Sequence, residues 1–249
     1  ESSPLIVISG QVKTSDMLGD RQLRQTGVQE VQISRLVDPI TKFCHVIESA
    51  KEVPAILDKA YTLSVEGRKG PVWIDIPLDI QGSPIQRFSI KDLMDTSDKK
   101  QKFNTNAQKV FELLQNSDRP LLFFGNGSKF DGVAEQARDF INTHMIPSVF
   151  TWNASDILAY ENKMNMGRPG VVAQRHANFI VQKSDLIIAI GTSLDNVLTA
   201  YNPTNFAPNA KKVFVNIDEH QLTFCDIPNI IKVHSSAKDF LADLDVILS

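Results

Sequence analysis

The sequence predicts an α/β protein: parallel sheets with helices on both faces, arranged as one complete doubly wound unit preceded by a partial one. Three observations carry this. Short apolar runs alternate with segments of helical period along the chain. The runs are close to continuously apolar, as in Leu186-Ile187-Ile188-Ala189-Ile190, which is the pattern of strands buried on both faces. One stretch, 82–103, breaks the alternation with Pro84, scattered charges and no sustained period.

Strands are expected at 5–9, 72–76, 121–124, 148–151, 186–190, 213–217 and 230–233. Helices are expected where apolar residues recur at i, i+3, i+4 and i+7: Val53, Ile56, Leu57, Ala60 and Leu63; Ala107, Val110, Phe111 and Leu114; Ala237, Phe240, Leu241 and Leu244. Asn104, Thr105 and Asn106 offer N-caps to the second of these. Further helices are expected from near Lys129 and over 171–182. The resulting organisation is a first unit at 1–81 with two clear strands, a linker at 82–103, and a second unit at 104–249 with five strands.

Composition narrows the function classes. The apolar runs are far shorter than the roughly 20 residues of a membrane helix. A net charge of -3 without a basic cluster argues against a nucleic-acid partner. The dense charge run 98–102 reads as a solvated linker. Cys44 and Cys225 have no metal-ligand spacing, which fits a reducing cytoplasm, and His45, His144, His176, His220 and His234 are dispersed. Glu1 stands where an initiator Met is usual, directly before an apolar strand, so a start set by cleavage or by design is expected.

The chemistry-bearing positions lie at strand ends. Gly125-Asn126-Gly127 follows an apolar strand and precedes a helix, so its glycines either make the turn or let backbone approach a phosphate. Met166-Gly167-Arg168-Pro169-Gly170 precedes a helical stretch, and Gly191-Thr192-Ser193 closes the strand at 186–190. Asp218 ends the next strand, where it either accepts a ribose hydroxyl or caps the following helix. Neither a Gly-x-Ser-x-Gly elbow nor a Walker-type loop is present. Taken alone, these residues reach only a soluble α/β protein whose strand ends either form a nucleotide crevice or simply make turns and helix caps.

A longer constellation adds a family. Gln11, Thr14, Ser15, Gln29, Glu30, Thr41 and Lys42 come in order before Gly67-Arg68-Lys69-Gly70-Pro71-Val72-Trp73-Ile74-Asp75-Ile76-Pro77, and Phe206-Ala207-Pro208-Asn209-Ala210 precedes the strand that leads to Asp218. Together they resemble the thiamine-diphosphate (ThDP) enzymes of the acetolactate synthase type. The resemblance implies that 1–81 is the C-terminal half of a pyrimidine-binding domain and that 104–249 is the central domain. It implies a parent enzyme that decarboxylates a 2-keto acid and adds the product to an acceptor, using ThDP and Mg²⁺, as a cytoplasmic homodimer or homotetramer. The Glu that holds the aminopyrimidine and the Gly-Asp-Gly segment that holds the diphosphate have no counterpart here, so the chain is expected to be an inactive fragment. Gln29 is expected to line the active site, with Val28 replacing the usual Phe, and Lys42 to border substrate access. By the same resemblance, Arg68, Gly125, Gly127, Gly167, Gly170, Gly191, Thr192 and Asp218 are the positions that hold FAD in the true synthases, and ADP, another nucleotide or nothing in other relatives. Two departures stand out: the flavin-associated Gly-x-Arg-Phe-Asp-Asp reads Gly191-Thr192-Ser193-Leu194-Asp195-Asn196, and Arg21-Gln22-Leu23-Arg24-Gln25-Thr26 looks inserted, as in relatives from bacterial surface-polysaccharide pathways. The alternative is a stand-alone nucleotide-binding or assembly module.

Overall fold

The computed structural model describes residues 2–85 and 104–249, so most of the expected linker, including the charge run 98–102, lies outside the described residues. The chain divides into two compact units, Glu1–Lys100 and Gln101–Ser249. Both are built on wholly parallel sheets, which is the predicted α/β class.

The second unit is a five-stranded sheet of order β5-β4-β6-β7-β8, formed by β4 (Pro120–Phe124), β5 (Ser148–Phe150), β6 (Leu186–Ile190), β7 (Lys211–Asn216) and β8 (Ile230–His234). The chain winds outward from β4 in both directions, so a topological switch point falls between β4 and β6, where sheets of this kind open a crevice at the carboxyl ends. Residues two apart share a face, and the apolar runs therefore fill two cores. Leu122, Phe124, Leu186, Ile188, Ile190, Val213 and Val215 belong to one, with Val110 of α4 (Ala107–Gln115), Ala137, Phe140 and Ile141 of α5 (Val133–His144), and Phe240, Leu241 and Leu244 of α8 (Ala237–Leu248). Leu121, Phe123, Ile187, Ala189 and Phe214 belong to the other, with Ala177 and Val181 of α6 (Arg175–Lys183) and Leu222 of α7 (Glu219–Thr223).

The first unit is a three-stranded sheet of order β1-β3-β2, with β1 at Leu5–Gln11, β2 at Phe43–Val46 and β3 at Pro71–Pro77. Ile47, Ala60, Val72, Ile74 and Ile80 form its small core, drawn from β3, α2 (Val53–Val65), α3 (Leu78–Gln81) and the residue that follows β2. The short α1 spans Ile33–Val37. The opposite face of β3 is polar. Trp73 Nε1 donates to Ser9 Oγ (2.8 Å), Ser9 Oγ donates to Asp75 Oδ1 (2.6 Å), and Gln11 Nε2 donates to Asp75 Oδ2 (2.9 Å) and to Val31 O (2.7 Å).

Three expectations need correction. β2 is a third strand of the first unit; its Phe-Cys-His-Val run is short and only half-buried, so it carries no apolar signature. The segment after Gly125 makes a 3₁₀ turn at Asn126–Lys129, and the α-helix starts only at Val133. None of Asn104, Thr105 and Asn106 caps α4: Asn106 takes the cap position in the left-handed region, with no side-chain bond to the helix. Asn104 Oδ1 instead accepts from Asn106 N, and Thr105 Oγ1 donates to Asp243 Oδ2 (2.6 Å).

Candidate functional site

In the first unit, Gln29 lies in an exposed turn beside Val28, which is 97% exposed. The turn is held from beneath by the next residue, which the sequence reading used only as a motif mark. Glu30 is buried, with Oε1 accepting from Leu18 N (2.5 Å) and Oε2 from Thr26 N (2.7 Å), while its carbonyl accepts from Gln25 Nε2 (2.7 Å). The backbone bond from Thr26 heads the interactions that pull the Glu30 carboxyl below its ordinary value. The loop containing the insertion-like residues is thus tied at both ends to one carboxylate, and Gln11 joins it to the sheet through Val31 O.

Lys42 and Arg68 sit near the end of α2. Lys42 Nζ donates to the carbonyl of Glu66 (2.8 Å), the C-cap residue of this helix, and partial burial pushes its pKa down against the opposing pull of the Glu66 carboxylate. Its stem crosses Gly70 so closely that a Cβ there would lie 2.9 Å from Lys42 Cδ. A cation at a helix C-terminus complements the dipole. Arg68 Nε donates to Ser2 Oγ (2.8 Å).

In the second unit the predicted residues gather at the carboxyl ends of the strands. Gly125 N–H donates to Ile190 O (2.9 Å), Gly127 N–H to Gly191 O (2.8 Å), and Gly191 N–H to Val215 O (3.2 Å). Ser128 Oγ donates to Ile190 O (3.0 Å). Thr192 is buried, its Oγ1 accepting from Leu194 N (3.2 Å) and its carbonyl from Asn216 Nδ2 (2.9 Å). Asp218 is the N-cap of α7, accepting from His220 N (2.9 Å) and Gln221 N (3.4 Å). Asn216, which no motif singled out, links the two tips: besides reaching Thr192, its Oδ1 accepts from Asp218 N (2.9 Å).

The Gly167-Arg168-Pro169-Gly170 loop is bound to α6 and its approach. Gly167 N–H donates to Asn165 Oδ1 (3.0 Å), Arg168 N–H to Gln174 Oε1 (2.8 Å), and Gly170 N–H to Asn178 Oδ1 (2.8 Å), while Asn178 Nδ2 returns a bond to Gly170 O (2.8 Å). Outside this loop lies an open cleft of about 440 Å³ lined by Trp152, Arg168, Val171, Val172, Ala173 and Gln174. Trp152 follows the end of β5, so the cleft too lies on the carboxyl side of the sheet. Sequence reasoning missed it because Trp152 has no motif; its exposure, at 54% for so large a ring, is visible only after folding.

Two histidines acquire carboxylates: His144 Nε2 lies 2.6 Å from Asp245 Oδ1 and His45 Nε2 lies 3.5 Å from Glu52 Oε2. Among the described residues no three His, Cys, Asp or Glu side chains form a group that could hold a metal, and no helix is long and apolar enough to cross a membrane.

A wholly parallel sheet with this switch point and glycine-rich strand tips defines a doubly wound α/β unit. The family model described as "Thiamine pyrophosphate enzyme, central domain" matches residues 107–244, and the chain belongs to that family of ThDP-dependent enzymes. It is 29% identical to the acetolactate synthase isozyme 1 large subunit of Escherichia coli (strain K12) over 98% of this chain and 42% of the relative. It is 30% identical to an acetolactate synthase of Mycobacterium leprae (strain TN) over 98% of this chain and 39% of the relative, and 29% identical to a probable acetolactate synthase large subunit of Methanocaldococcus jannaschii over 98% and 42%. The chain therefore spans about two-fifths of the length of these curated relatives, and the similarity runs through both units.

Proposed function

We propose that the chain is a part of a ThDP-dependent carboligase or decarboxylase of the acetolactate synthase type, acting on a 2-keto acid. The observation that carries this is the similarity to acetolactate synthases along 98% of the chain, beyond the matched central domain. In this reading 1–81 is the C-terminal half of a pyrimidine-binding domain, 82–103 a linker, and 104–249 the central domain. The parent is a cytoplasmic homodimer or homotetramer that binds ThDP and Mg²⁺ when complete. The residues present do not fit the cofactor's main anchors, since the chain has neither the family's catalytic Glu nor its Gly-Asp-Gly segment, and the described residues offer no metal group. The chain's own contribution would be the Gln29 turn, held by the Glu30 carboxylate and lining the active site beside Val28.

Carbon dioxide release from a panel of 2-keto acids, with ThDP and Mg²⁺ supplied, tests this reading. The 249-residue chain alone is expected to be inactive, and a full-length product to turn over at least one 2-keto acid and to lose that turnover with Gln29→Ala. Turnover by the 249-residue chain alone overturns the fragment reading; an inert full-length product overturns the enzyme reading.

A second role is favoured by the cleft at Trp152 and Arg168: the central unit binds a nucleotide, FAD or ADP, at the carboxyl side of its sheet. An aromatic face and a guanidinium beside each other suit a base and a phosphate.

A further inference from the structure

Whether a flavin dinucleotide fits the central unit turns on its hydrogen-bond accounting. Strand-tip glycines serve a phosphate when their N–H groups point at it and when the missing Cβ leaves room for it. Neither condition holds here. The N–H groups of Gly125, Gly127, Gly167, Gly170 and Gly191 all donate within the protein, at 2.8 to 3.2 Å. The space left by the absent side chains is filled by the facing loop. A Cβ on Gly125 would lie 2.3 Å from Gly191 O and 2.4 Å from Thr192 Cα, one on Gly127 2.8 Å from Gly191 O, and one on Gly191 2.7 Å from Ser128 N. Gly191 also has φ +61, a backbone setting that favours glycine regardless of any ligand. The polar tips behave alike: Asp218 accepts from two N–H groups of α7, and the Asn216 amide spans Thr192 O and Asp218 N.

Building on the nucleotide reading above, we infer that the β4–β6 switch point of this chain is a self-satisfied junction, closed to the flavin half of a dinucleotide. The unit's ligand is confined to the neighbouring Trp152–Arg168 cleft. The strand-tip glycines are packing residues that let two loops touch. At about 440 Å³ the cleft lies in the lower part of the roughly 300–1,000 Å³ range of small-molecule sites, room for one ring and its phosphates. Arg168, half-buried at its rim, is the phosphate partner, and the exposed face of Trp152 is the platform for the base.

Calorimetric titration of the 249-residue chain with ADP and with FAD, alongside thermal unfolding of Gly127→Ala, tests the closure. ADP is expected to bind, Arg168→Ala to weaken it at least about tenfold, and FAD to bind no more than about threefold more tightly than ADP. Gly127→Ala is expected to lower the thermal midpoint by about 4 °C or more without any ligand. FAD binding about tenfold or more tighter than ADP overturns the closure and leaves the nucleotide reading standing. A Gly127→Ala protein of unchanged midpoint that has lost FAD binding also overturns it. Absence of binding by both ligands sinks the nucleotide reading, and the confinement to the cleft with it.

Discussion

β6 in the second unit and β1 in the first are both apolar strands paired in parallel, yet all five residues of Leu186–Ile190 are buried while Leu5, Ile6 and Ile8 stand exposed. The difference lies in their surroundings. β6 has β4 on one side and β7 on the other, with helices over both faces; β1 has β3 on one side only. A parallel strand draws its stability from being covered, so the same residue types contribute several kcal/mol in one sheet and little in the other. The first unit compensates in a different currency. Its central Asp75, 1% exposed, is satisfied by Ser9 and Gln11, so the sheet is organised by a polar network as much as by apolar area.

Matched substitutions probe this contrast, read by urea unfolding with a separate signal for each unit. Phe214→Ala, from the fully buried face of β7, is expected to cost the second unit about 3–5 kcal/mol. Ile8→Ala, in the middle of β1, is expected to cost the first no more than about 1 kcal/mol. Equal losses would erase the distinction. Asp75→Ala is expected to cost the first unit about 1–3 kcal/mol by leaving Gln11 and Ser9 without their acceptor. A neutral result would mean that the polar face contributes nothing.

Asp218→Ala is expected to cost about 1 kcal/mol through loss of the α7 cap, with or without nucleotide present. A loss of nucleotide affinity at unchanged stability would assign this residue to a ligand instead. The smallest effect concerns acid. The Glu30 carboxyl is held below its ordinary value of 4.5, so its contribution is present above that pH and is lost as pH falls through the depressed folded value. Acid titration of the first unit is expected to be shallower below pH 4.5 in Glu30→Gln than in the unaltered chain. Identical acid profiles would show that the clamp does not couple to folding.

The sequence was most legible where burial is most complete. The strand at 186–190 is seen with its observed bounds because an unbroken apolar run has no other use at that length, and α2, α4 and α8 are recovered from their periodicity. β2 escaped because Phe43, Cys44, His45 and Val46 are all half-buried, which leaves neither an apolar run nor an alternation. At the site, the positions of the glycines were readable but their partners were not. That Gly125 meets Gly191 across the β4–β6 junction depends on strand order, which a linear pattern does not carry. Asn216 and Trp152 were missed for the same reason: one acts by bridging two loops and the other by remaining exposed beside them.

The strand order also has a consequence during synthesis. β4 is the first strand of the second unit to leave the ribosome, yet one of its edges is paired only by β6, which lies further along the chain than β5. At 5–20 residues per second, the roughly 66 residues between paired positions take about 3–13 s to make. For that interval Leu121-Leu122-Phe123-Phe124 offers an unpaired apolar edge to other nascent chains. Slower synthesis lengthens that exposure in proportion, because the covering partner is set by strand order and not by nearness in the chain.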